Sequence, residues 1–124
     1  MNKEELKNRT KAFALRVIEL VDSLPKTQVG KVIGNQLLRS GTSVGANYRS
    51  ALRARSQADF EYKLGLVEEE ADESFYWMEL IVDSNLMAMD KVENIMQEAN
   101  ELVAIFASAI ITLKKRKRML NPKS

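Results

Sequence analysis

Five consecutive cations, Lys114, Lys115, Arg116, Lys117 and Arg118, stand close to the end of the sequence. A run of this kind neutralises phosphates without regard to base sequence, and its affinity falls steeply with salt. Cations also suit the negative pole of a helix macrodipole, at about 0.3–1 kcal/mol each, but one or two suffice for that. The run is therefore read as a contact for RNA or DNA. Arg53 and Arg55, next to a turn, are open to the same use. Arg39 and Arg49 are read differently. The guanidinium fork matches carboxylates in a bidentate manner, and an acidic segment offers Glu69, Asp72, Glu73 and Glu79. Arg39 and Arg49 are expected to tie helices or subunits together.

Other chemistries find little material. The chain has no histidine and no cysteine, which removes the commonest general base, the commonest metal ligand and every thiolate. The run Glu68-Glu69-Glu70-Ala71-Asp72-Glu73 invites a di-metal reading, but bundle-core di-iron sites pair glutamate with histidine. No metal, no cofactor and no catalytic residue are expected, and the carboxylates are read as a solvated or arginine-paired face. Gly41-Thr42-Ser43-Val44-Gly45 lacks the Gly-Lys-Ser/Thr ending that cradles nucleotide phosphates. Phe60, Tyr62, Phe75, Tyr76 and Trp77 have the type to stack on bases. Their helical spacing points rather to the core and a subunit interface, where Trp77 buries area and keeps a polar handle.

What must position these residues is a chain of 124 residues, 45% apolar, the size of a single domain with a real core. Its uncharged apolar runs are expected to fall short of a membrane span. The start, Met1-Asn2-Lys3-Glu4-Glu5, carries charge where an export signal needs an apolar core. With the missing cysteines, this suggests the cytoplasm. The net charge of +2 conceals blocks. Residues 1–55 sum to +7, residues 56–113 to −11, and residues 114–124 are purely cationic. Such blocks attract one another when helices lie side by side, within one chain or between copies.

The apolar pattern predicts four helices, about 3–24, 28–54, 57–84 and 91–118, with a basic tail over 114–124. Leu6, Phe13, Val17, Leu20 and Leu24 form the stripe of the first helix, which Pro25 ends. Thr27 is a plausible cap for the second, and Ser56 with Asp59 for the third. Asp90 with Glu93 has the spacing of a capping box for the fourth, where Ile95, Ala99, Leu102, Phe106, Ala109 and Leu113 follow at spacings of three and four. Gly30, Gly34, Gly41 and Gly45 are spaced by four, seven and four. On one helix they share a stripe, at a cost of about 1 kcal/mol each relative to alanine. Close approach of another backbone would return that energy. A loop over Ser40-Gly41-Thr42-Ser43 is the alternative. Short connections make an antiparallel up-and-down four-helix bundle the expected all-α fold.

Leu24-Pro25-Lys26-Thr27, the stretch Gly34-Asn35-Gln36-Leu37-Leu38-Arg39-Ser40-Gly41-Thr42-Ser43-Val44-Gly45-Ala46-Asn47-Tyr48-Arg49, Ala58-Asp59-Phe60 and Glu68-Glu69-Glu70-Ala71-Asp72-Glu73-Ser74 carry a resemblance. Over residues 15–86 the sequence closely resembles the bacterial four helix bundle proteins encoded within intervening sequences of 23S ribosomal RNA genes. Accessory proteins of diversity-generating retroelements are similar. The resemblance implies an up-and-down bundle that assembles into a homo-pentameric ring. It also implies partners among RNA or DNA and, in the retroelement relatives, a reverse transcriptase. The alternative to direct nucleic-acid contact is a scaffold that binds only protein. No membrane association is expected.

Overall fold

The computed structural model describes residues 1–120. Among them are four helices and no strand. The first, α1, spans Lys3–Asp22. Asn2 caps it: its side-chain oxygen accepts from the Glu5 N–H at 2.8 Å, and its Nδ2 donates to Glu5 Oε1 at 3.0 Å. The helix stops two residues before the expected end, with Ser23 as its cap. Leu24 nonetheless belongs to the core from outside the helix.

Helix α2, Gln28–Leu52, opens on Thr27, whose hydroxyl accepts from the Gly30 N–H at 3.1 Å. It runs without a break through residues 40–43, which resolves the two readings of the glycine segment. The hydroxyls that favour loops are occupied here. Thr42 Oγ1 donates to the Leu38 carbonyl at 2.7 Å and Ser43 Oγ to that of Arg39 at 2.6 Å. Bonded back to their own helix, they offer the backbone no alternative.

Helix α3, Gln57–Asp83, is capped by Ser56, which accepts from the Asp59 N–H at 3.0 Å. Its far end turns on Asn85, the one non-glycine residue with positive φ (63°) among the described residues. Asparagine tolerates the left-handed region better than most side chains. Here it lets the Leu86 N–H reach the Ile81 carbonyl and the Asn85 N–H the Val82 carbonyl, both at 3.0 Å, so two orphaned carbonyls are satisfied. Helix α4, Met89–Leu120, begins two residues earlier and ends two later than the sequence pattern indicates. Asp90 therefore lies in its first turn and is not its cap. Of the basic tail, residues 121–124 lie outside the described residues.

The helices pack as chain neighbours, α1 on α2, α2 on α3 and α3 on α4, with the weakest contact between α1 and α4. Phe13, Val17, Leu37, Val67, Met78, Ile81 and Leu102 are buried in the shared core. Across it the rings of Tyr48 on α2 and Phe106 on α4 meet at 5.4 Å.

The glycine stripe decides how α1 meets α2. A Cβ on Gly41 would stand 2.7 and 2.8 Å from the Val17 methyls. One on Gly34 would touch Leu24 Cδ1 and Val21 Cγ1 at 3.3 Å, and one on Gly45 would meet Thr10 Oγ1 at 3.3 Å. At Gly30 the obstacle is the Pro25 carbonyl oxygen, 2.2 Å from the would-be Cβ, so this glycine admits the turn rather than the helix. Gly65 on α3 differs from all four, with nothing within 4 Å of its Cβ position. Two opposite outcomes are expected from thermal or urea unfolding. Gly65→Ala should stabilise the fold by up to about 1 kcal/mol through helix propensity. Gly41→Leu should destabilise it by at least about 1–3 kcal/mol through overpacking. Val17→Ala in the same chain should recover part of that loss, and a Gly41→Leu variant as stable as wild type would show that α1 does not seat on this stripe.

Candidate nucleic-acid interface

Up-and-down topology brings the start of α1, the end of α2, the start of α3 and the end of α4 to one pole of the bundle. That pole collects Lys3 and Lys7 from α1, Arg49, Arg53 and Arg55 from α2 and its exit, and residues 114–118 from α4. Five successive positions, at roughly 100° each, wrap the whole circumference of a helix. All five of these side chains are exposed, so the cluster presents charge in every direction around the end of α4.

The carboxylates at this pole neutralise only part of it. Lys7 lies 4.0 Å from Glu4, Lys63 lies 3.4 Å from Asp59, and Lys114 lies 3.9 Å from Glu61. Exposed pairs at such distances contribute about 0–1 kcal/mol. Among the described residues, Arg53, Arg55, Lys115, Arg116, Lys117 and Arg118 have no carboxylate within 4.0 Å. Helix α4 also outruns α1. The Arg9–Glu98 contact sets their register, so Lys3 stands level with about residue 105, and the last turns of α4 have no α1 beside them. An apolar groove of about 730 Å³ lies between the start of α1, the start of α3 and α4, lined by Leu6, Phe60, Leu64, Ile105 and Leu113.

Away from the pole, two arginines act as clamps. Arg39 on α2 donates to Glu70 at 3.1 Å and to Glu73, and Trp77 Nε1 donates to the same Glu73 carboxylate at 3.0 Å. Beneath this network the hydroxyls of Ser40 and Ser74 meet at 3.0 Å between α2 and α3. Arg9 on α1 forms a bidentate pair with Glu98 on α4, at 2.8 and 2.7 Å, and touches Glu101 at 3.4 Å. Its hydrogen bonds to Glu98 hold the guanidinium above its ordinary pKa, against the opposing cost of burial. The two acids of the Arg39 clamp are not equivalent. Glu70 sits higher than the usual carboxylate range, first because it is desolvated and also because Glu73 and Glu69 repel its charge, while Arg39 pulls the other way. Arg39 is itself raised by the Glu70 charge. Its side chain is 50% exposed against 19% for Glu70, so burial is the leading cause for the acid and is outweighed by the Glu70 charge for the arginine.

Of the residues singled out in the sequence, the structure unites Arg39, Glu73 and Trp77. It leaves Glu69 and Asp72 exposed and without an ion pair among the described residues. Arg49 requires a correction. Like Arg39, it was expected to tie helices or subunits together; within one chain it is exposed and makes no ion pair among the described residues, so it joins no two helices there. Ten residues separate the two arginines, and ten helical steps turn by roughly 280°, which puts Arg49 on a different face. The Arg9–Glu98 clamp had no sequence signal, because 89 positions separate its partners. The longest uncharged apolar run, Leu102–Leu113, spans 12 residues. An 18-residue window of α4 reaches a mean hydropathy of 1.2, so by length and composition alone this helix is apolar enough to cross a membrane, and 28% of the window is buried.

These features define a class: an all-α up-and-down bundle closed by arginine clamps, with one strongly cationic pole. The chain belongs to the 23S rRNA-intervening sequence protein family, whose model matches residues 2–108. It is similar to a solved structure of a protein with unknown function from the S23 ribosomal protein family of Bacteroides thetaiotaomicron. The two chains are 36% identical and superpose with a TM-score of 0.82, over 89% of this chain and 98% of the other. No match is found among curated proteins.

Within this fold the Arg39 clamp carries a pH signature. Because the folded state raises Glu70, it binds more protons than the unfolded chain over the interval between the two values. The stability contributed by neutral Glu70 is complete below the ordinary carboxylate pKa and is lost as pH rises through the raised one. Glu70→Gln stays uncharged throughout. Urea unfolding between about pH 4 and 7 should show that decline in the parent and a flatter profile in the variant. Parallel profiles would mean that Glu70 titrates as an ordinary surface carboxylate.

Proposed function

We propose that this protein is a non-enzymatic, homo-oligomeric helix bundle of the cytoplasm whose cationic pole binds the phosphate backbone of RNA or DNA. The observation that carries this reading is the meeting at one pole of Arg53, Arg55 and residues 114–118, with little carboxylate to neutralise them. Such a surface binds by counterion release, independent of base sequence, and each repeated copy multiplies the effect. Assembly is supported by apolar area that one chain leaves uncovered: Ile111 on α4, Leu15 and Ile18 on α1, and Val29 and Val32 on α2 are all exposed. The family resemblance supports a ring of five.

The same apolar area favours a second reading, in which the bundle is a scaffold for a protein such as a reverse transcriptase and its charges serve assembly alone. The resemblance to retroelement accessory proteins supports that partner. Recovery of a protein partner after nuclease treatment separates this reading from the first.

Titration of labelled RNA at low and moderate salt tests the leading reading. Replacing residues 114–118 by glutamine should abolish most binding at moderate salt and flatten the salt slope, by about 0.7–0.9 for each phosphate contact removed. Absence of binding at low salt, or an unaltered slope in the variant, would overturn it. Light scattering should return about five times the 14.1 kDa chain mass, and a monomer would remove the oligomer from the proposal.

A further inference from the structure

The five aromatic residues of α3 do not share one fate. Phe60, Phe75 and Trp77 pack against the core, and Tyr76 sets its edge against Trp77, with ring centroids 5.1 Å apart. Tyr62 has no aromatic partner among the described residues and is 66% exposed. It lines a groove of about 510 Å³ between the outer sides of α3 and α4. Gly65, three residues on and also in the groove, leaves open space where any other residue would place a side chain. Leu66 and Ile110 give the groove an apolar lining, and Lys114 and Lys117 supply its cations from α4.

We propose that this groove holds a single-stranded nucleic-acid segment, with one base stacked on Tyr62 and the adjoining phosphates on Lys114 and Lys117. The inference rests on the polyanion reading of the cationic pole and adds to it the form of nucleic acid. A flat ring beside an unfilled glycine fits a planar base, and stacking accepts every base because each has a π face. Paired bases inside a duplex present no free face to such a ring, so a duplex uses the cations but not Tyr62. Lys114 and Lys117 are three residues apart and so share one side of α4. The α3 wall carries Glu61, which lies 3.9 Å from Lys114 and gives it up to a phosphate, and Glu68 and Glu69. These repel phosphate and accept hydrogen bonds from exocyclic amino groups of bases. The charges thus place the backbone along α4 and the bases toward α3.

The test uses the full chain, a labelled single-stranded RNA, and the same strand annealed to its complement, at low salt by fluorescence anisotropy. Tyr62→Ala should weaken single-strand binding by about tenfold, the loss of one stacked base, and leave duplex binding unchanged. Tyr62→Phe should restore wild-type affinity, and Tyr76→Ala should have no effect. Circular dichroism should show all variants folded, since Tyr62 contributes little to the core. Wild-type single-strand affinity in Tyr62→Ala, or an equal loss for both forms, overturns the inference. If the variant with residues 114–118 neutralised loses both forms while Tyr62→Ala loses neither, the pole binds nucleic acid and only the stacking site fails. Failure of the wild-type chain to bind either form overturns both readings.

Discussion

The seam that seats α1 is a row of glycines on α2 against a row of branched side chains. Val17, Val21 and Leu24 press onto α2 where Gly34 and Gly41 have no side chain, and Thr10 does the same at Gly45. Dispersion falls off steeply with distance, so removing a layer of Cβ atoms between two helices strengthens every remaining contact along the seam. Thr10 can take part because its hydroxyl is satisfied within its own helix, by the Leu6 carbonyl at 2.8 Å. The depth of this seam fixes where α1 lies. Through the Arg9 clamp it also fixes how far α4 extends past its neighbours.

From that extension follows the division of labour among the charges. The acidic α3 spends Glu70 and Glu73 on Arg39, while Glu98 and Glu101 of α4 hold Arg9. The Arg9–Glu98 pair is partly buried and bidentate, so it contributes more than an exposed pair on a single helix; the Arg39 pairs and Arg9–Glu101 join helices from exposed positions. The cations at the ends of α2 and α4 are at the opposite extreme. They project where the bundle has no further layer, and the carboxylates nearest to them, Glu61 and Asp59, are few. The segregation of charge along the chain thus becomes segregation in space: paired charge at the helix seams, unpaired positive charge at one end.

Membership of the 23S rRNA-intervening sequence protein family covers residues 2–108, which include the glycine and arginine stretch that seats α2 on α1 and α3. The motif residues Gly34, Arg39, Ser40, Gly41 and Gly45 all face α1 or α3 in the structure or bond to them. The motif therefore encodes the packing of three helices. The cationic run over 114–118 lies past residue 108, where the family match ends. Its role rests on the physics of its own surroundings.

Much of the architecture was legible in local patterns. The caps at Asn2, Thr27 and Ser56, the stop at Pro25 and the three-four spacing of the apolar rows are short-range signals, and helices are built from short-range hydrogen bonds. Signals that depend on which helix lies opposite were not legible. The sequence left the glycine stripe open between helix and loop, because the hydroxyls of Thr42 and Ser43 suit both until an opposing helix is present. It offered Arg49 a carboxylate partner within the chain or in a neighbouring copy, and within the chain Arg49 lies on a different face from Arg39. It contained no hint of Arg9 with Glu98 or of Ser40 with Ser74, whose partners become neighbours only after the chain has folded back. It placed five aromatics together that the packing then separates into Phe60, Phe75 and Trp77 against the core and the exposed Tyr62 and Tyr76. Composition, helix content and the cationic run were set by the order of residues alone. Which charges are paired, which rings are left in water and which end of the bundle is basic were decided by tertiary structure, because each depends on the register and rotation of helices far apart in the chain.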